Sequence, residues 1–249
     1  MNTLVLKSRN VISNPAYGKI TDLNDGLRVL LDARGLAQTQ NQTVSAWVAT
    51  GSGSALERTY DKLTGSWVAP TLDEGTFKSV RFDGNNMLRT DVNTARIVTK
   101  ASYIIVFKVD EVPTGEASGG SRIFTGARRP SNDSYHSLTP QNGGLTMRGY
   151  EDTSDGAVIP TNSAEWTVGV FVFDGANSKC ITSANNSIVS NARNESAVSR
   201  ISLGSNPAVS SPAGEGFKGN IALFAQYDKA FTDDEILKLF SYYRGEFNI

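Results

Sequence analysis

Hydrolysis of a glycosidic bond needs two carboxyl groups about 5–9 Å apart, one as acid and one as base or nucleophile. Alternate residues of a strand share a face, so a Glu-x-Asp-x-Glu run would set such a pair on one strand. The sequence contains no such run. Glu111 and Glu116 flank a loop, and Glu151 and Asp152 are adjacent. Asp233, Asp234 and Glu235 open a predicted helix, where negative charge favours the dipole. A Ser-His-Asp triad would need His136, the only histidine, to meet a serine and a carboxylate. His136 lies in a polar stretch that reads as surface loop. There is no Gly-x-Ser-x-Gly elbow, and one Cys with one His cannot build the usual zinc site. Gly51-Ser-Gly-Ser and Gly119-Gly-Ser lack the lysine and helix of a phosphate loop. The chain is therefore expected not to be an enzyme.

Two kinds of binding chemistry remain. Asp83, Asn85 and Asp174, with Asn86, Asp152 and Asp155, offer hard oxygens of the kind calcium takes. Asp-Gly and Asn-Asn are also ordinary turn formers and need no ion. No other cofactor is expected. Sugar binding draws on exposed aromatic rings beside polar groups. Trp67, in Gly65-Ser66-Trp67, is the first candidate, with Tyr60 and Tyr135 behind it. Trp47 is assigned to the core.

These residues need a scaffold, and the composition describes one. Of 249 residues, 39% are hydrophobic and 23 are Gly, which suits short strands joined by many turns. One all-β domain of this length is ordinary. With 24 basic and 25 acidic residues there is no basic field for nucleic acid. The lone Cys180 excludes an internal disulfide and reads as a buried thiol. The N-terminus lacks the basic start and apolar core of a signal peptide, and no run reaches the ~20 apolar residues that span a bilayer. A soluble protein of cytoplasmic manufacture is expected, with no nucleic-acid or membrane partner.

Residues 1–26 read as an extended arm, with an apolar patch at Leu4, Val5 and Leu6 and breakers after it. Such an arm either adds an edge strand to its own sheet or lies on a neighbouring subunit. Residues 27–249 read as one domain. Leu27–Leu31 is a strand buried on both faces, and Val80–Phe82 alternates before an Asp83-Gly84 turn. Ala101–Val109 is nearly continuous in apolar residues and reads as a central strand. Arg128–Gly144 is polar and reads as a surface excursion. Trp166–Phe173 is a second strong strand, and Lys179–Thr182 pairs with it across Asp174-Gly175. The last strand starts at Phe217. A helix follows, with Thr232 and Glu235 as a capping box and an apolar face of Ile236, Leu237, Leu239, Phe240 and Tyr243. So short a helix must lie on something, and the preceding strand is nearest.

Leu31-Asp32-Ala33, then Trp47 in a polar loop, then Val80-x-Phe82-Asp83-Gly84, then a closing strand and helix resemble the concanavalin A-like, laminin-G-like superfamily. The resemblance implies an antiparallel jelly roll of two sheets, with a short C-terminal helix and the extended N-terminal arm. Some relatives cleave glucans and some bind calcium through loop oxygens. Stand-alone domains of this kind look like virion proteins of tailed bacteriophages. The expected function is thus a non-enzymatic virion protein, a capsid decoration or a head or tail appendage. It would dock on other virion proteins, or on copies of itself, through Leu4, Val5, Leu6 and Tyr17. A carbohydrate-binding module or host-surface adhesin that holds host glycans is the alternative. A glycoside hydrolase is third.

Overall fold

The computed structural model describes residues 12–14, 18–20, 25–48, 59–62, 68–90, 99–115, 121–127, 135–149, 157–194, 198, 200–205 and 216–249. Two short strands, β1 (Ile12–Asn14) and β2 (Gly18–Ile20), form a hairpin with Ser13 opposite Lys19. The described part of the arm is thus folded on itself rather than one extended run. The sandwich begins with β3 (Leu27–Asp32), β4 (Ala46–Val48) and β5 (Thr59–Lys62). Next come β6 (Thr71–Glu74), β7 (Lys78–Asp83), β8 (Leu88–Thr90) and β9 (Ala101–Val109). The middle holds β10 (Phe124–Ala127), β11 (Tyr135–Gln141), β12 (Gly144–Arg148) and β13 (Trp166–Phe173). The chain closes with β14 (Lys179–Thr182), β15 (Val189–Ser190), β16 (Arg200–Leu203), β17 (Lys218–Tyr227) and the helix α1 (Asp233–Phe247).

These strands make the expected two-sheet jelly roll. One sheet has the order β12-β11-β10-β16-β8-β5-β4, and the other runs β15-β14-β13-β9-β17-β7-β6. The ten-residue β17 is long enough to pair β7 along its first half and β3 along its second. β9 is central, between β13 and β17, and its near-continuous apolar sequence follows from burial on both faces. Tyr103, Ile105 and Phe107 point into the sandwich, where Phe171, Phe173 and Phe224 meet Trp47, Phe124, Leu138 and Leu203 of the opposite sheet. Ile104 and Val106 point the other way, onto α1.

α1 covers that second face. Ile236, Leu239, Phe240, Tyr243 and Phe247 pack on Val168, Val170, Val172, Ala225 and Tyr227. The capping box forms: Thr232 Oγ1 accepts from the Glu235 N–H at 3.3 Å, and Glu235 Oε2 accepts from the Thr232 N–H at 2.9 Å. One expectation about the helix needs correction. Leu237 falls about 100° round the axis from Ile236 and is 44% exposed. The helix also passes through Gly245 and ends on Asn248, whose left-handed backbone (φ 50°) closes it. No helix among the described residues is long and apolar enough to cross a membrane.

The main correction concerns residues 128–144. The stretch read as a surface excursion contains β11, which pairs β10 on one side and β12 on the other. Asn142-Gly143 connects β11 to β12 with both residues at positive φ (55° and 76°), the backbone a two-residue hairpin turn requires. His136 is consequently buried. Its Nδ1 lies 3.0 Å from the Tyr103 hydroxyl, and its ring stacks on Phe173 at 4.2 Å.

Candidate functional site

Side chains alternate across a strand, so the seven-stranded sheet has a second face whose composition follows from its first. Phe124, Leu138, Leu145, Met147 and Leu203 all enter the sandwich core. Their neighbours Thr125, Ser137, Thr139, Thr146 and Ser202 stand on the opposite face. The register lines them up. Thr125 is opposite Ser137 on β11 and Ser202 on β16, Ser137 is opposite Arg148, and Thr139 is opposite Thr146. Among the described residues no helix lies on this side, since α1 packs on the other sheet.

These hydroxyls do not meet solvent. Thr125, Ser137, Thr139 and Thr146 are each no more than 4% exposed, and none of their hydroxyl oxygens has a hydrogen-bond partner. Ser202 differs, because its Oγ donates to Ser205 O at 3.0 Å. A hydroxyl taken from water without a partner costs about 1–3 kcal/mol. Four on three adjacent strands are a concentrated cost. The protein's own atoms already cover them, so this face is closed to a ligand as it stands.

The residues singled out in the sequence fall differently. Tyr135 opens β11 opposite Ala127 of β10. Tyr60 stands opposite Trp47 in the β4–β5 ladder, and Trp47 is buried in the core as expected. Trp67 lies outside the described residues, as do Leu4, Val5, Leu6 and Tyr17.

The three calcium candidates are not brought together. Asp83 sits beside Lys218, at the Val109 end of β9, whereas Asp174 follows Phe173 at the Ala101 end. Nine residues of extended chain put roughly 27 Å between those ends. Asp83 and Asn85 instead shape their turn: Asp83 Oδ1 accepts from the Asn85 N–H at 2.8 Å. Asp174 pairs with Lys100 at 2.7 Å. Among the described residues, no group of three His, Cys, Asp or Glu side chains could hold a metal ion.

Two further features stand apart. Cys180 is buried, and burial pushes its thiol up to about 12. A groove of about 500 Å³ between α1 and β14 is lined by Ile181, Leu237, Phe240, Ser241 and Arg244. Its charged groups have partners within the fold: Arg244 donates to Asn186 Oδ1 at 2.6 Å and to Ile249 O at 2.8 Å, and Lys238 pairs with Asp234.

The buried hydroxyl face is hidden in the sequence for a definite reason. Ser and Thr at alternate positions look like loop composition unless the strand is recognised first. The signal was Asn142-Gly143 flanked by Leu138 and Leu145, a hairpin turn between alternating strands.

No family model matches the sequence, and no curated protein matches it. Solved structures do match. Domain 4 of an extracellular arabinanase from Geobacillus stearothermophilus, in complex with arabinotriose, has a TM-score of 0.52 at 16% identity. The match covers 87% of this chain and 98% of that one. Botulinum neurotoxin type C, whose cell entry depends on interaction with two ganglioside molecules, gives 0.57 at 12%, over 88% of this chain and 51% of that chain. Trypanosoma rangeli sialidase with the inhibitor DANA gives 0.55 at 13%, over 94% and 35%. The chain thus spans about a third of the sialidase and half of the neurotoxin chain. At these identities the likeness establishes the jelly-roll sandwich.

Proposed function

We propose that this chain is a non-catalytic carbohydrate-binding module. The observation that carries the reading is the fold it shares with domains whose structures involve sugars. The arabinanase domain that this chain matches over nearly all of that domain's length holds arabinotriose, and the neurotoxin meets gangliosides. Both support a sugar ligand over a purely structural role.

The virion setting expected from the sequence draws no support from these neighbours. Within the proposal it supplies a location: a module of this kind on a tailed phage would act as a host-surface adhesin. Its docking arm would be tested by deleting residues 1–20 and measuring incorporation into particles. The glycan-binding reading is tested by screening the full chain against a glycan array, with calorimetry on the hits. Micromolar to millimolar binding of a defined glycan is expected. Absence of binding across the array would overturn the reading.

A further inference from the structure

We infer that the groove between α1 and β14 is the seat of a saccharide. The inference rests on the glycan-binding reading above and supplies the site that reading leaves open. Asp234, Leu237, Lys238, Ser241 and Arg244 recur at three- and four-residue spacing, so they form one stripe along α1. That stripe runs beside the buried one that holds the helix on its sheet. Ile181 of β14 and Asn186, which follows that strand, belong to the opposite wall. The space between them is about 500 Å³, within the range of small-ligand sites. It is open to solvent: Leu237 is 44% exposed, and the Asp234 side chain is 73% exposed.

The lining has the two kinds of surface that a sugar ring has. Leu237, with Phe240 and Ile181 beside it, offers apolar contact to the C–H face of a ring. Around that floor, hydrogen-bond donors remain. Arg244 Nε donates to Ile249 O and Nη1 to Asn186 Oδ1, and among the described residues no acceptor meets Nη2. The Ser241 hydroxyl has no partner among them either. Lys238 carries three N–H groups and spends one on Asp234. A wholly apolar occupant would strand these groups away from water, whereas sugar oxygens accept from them. Lys238 and Asp234 offset each other's charge, which suits an uncharged ligand rather than a polyanion.

The test is calorimetry on the full chain with a panel of pentose, hexose and N-acetylhexosamine disaccharides, joined by the hits of the glycan array. Leu237→Ala is expected to weaken the binding of every sugar that the parent holds by about tenfold. Ser241→Tyr fills the groove and should abolish it. Thermal melts separate lost binding from lost folding; if the tyrosine variant does not fold, Leu237→Ala, at an exposed position, decides alone. Binding by the folded variants that equals that of the parent overturns the inference while leaving glycan binding in place. So does a parent that self-associates and that Leu237→Ala turns monomeric with sugar binding untouched, which would give the groove to a second copy of the chain. No binding by any sugar overturns this inference and the functional reading together.

Discussion

Ser137 and Thr125 stand directly opposite each other on β11 and β10, both buried and both with a hydroxyl oxygen that no other group meets. The pair places an uncompensated cost of about 1–3 kcal/mol per hydroxyl on the fold.

Thr139→Val makes that cost measurable. The change keeps the branched shape and removes an orphan hydroxyl, so the fold should gain about 1 kcal/mol. Urea melts of parent and variant check it. A variant less stable than its parent would show that the hydroxyl is satisfied in the free protein.

Thr232→Ala should lower stability by about 1 kcal/mol and the melting temperature by about 3 °C. It removes the oxygen that accepts from the Glu235 N–H. A thermal melt of the variant checks the shift.

Glu235 also gives the fold an acid dependence. Its burial works to raise its pKa, but the Lys229 ammonium at 2.8 Å and the Thr232 N–H outweigh that and hold it below the usual carboxylate range. The folded value lies below the unfolded one, so the stabilisation is present above about pH 4.3 and fades as pH falls through the folded value. Glu235→Gln can retain the capping geometry without the charge. The stability difference between parent and variant should shrink between pH 6 and pH 2 in urea titrations. A constant difference would remove the charge from the account.

Cys180 should resist thiol reagents in the folded protein at pH 8 and react fully in denaturant. Its burial keeps the thiol protonated, with a pKa near 12, and the thiolate is the reactive form. Rapid labelling without denaturant would show that the core opens locally.

Gly204→Ala should destabilise by about 3 kcal/mol or more, combining positive-φ strain with overpacking. The backbone is at φ +89°, and an added Cβ would lie 2.7 Å from Asn86 O and against the Phe82 ring. A melt within error of the parent would mean that this corner relaxes.

The architecture was legible where sequence period and burial agreed. β9 and β13 announce themselves by length and β-branched content, and α1 by Thr232, Glu235 and its three- and four-residue spacing. β11 did not, because His136 and Pro140 share a face with Leu138, and Ser137, Thr139 and Gln141 fill the other. A strand whose outward residues are buried hydroxyls has a loop's composition. The hydroxyl face was missed with it, since its four residues come from three strands and converge only through register. Asp83, Asn85 and Asp174 illustrate the reverse error: their oxygens suit calcium one by one, but the sheet holds Asp83 and Asp174 at opposite ends of β9.

The most direct test is a glycan-array screen of the full chain, with calorimetry on the hits. The account predicts micromolar to millimolar binding of a defined glycan. Absence of binding across the array would contradict it.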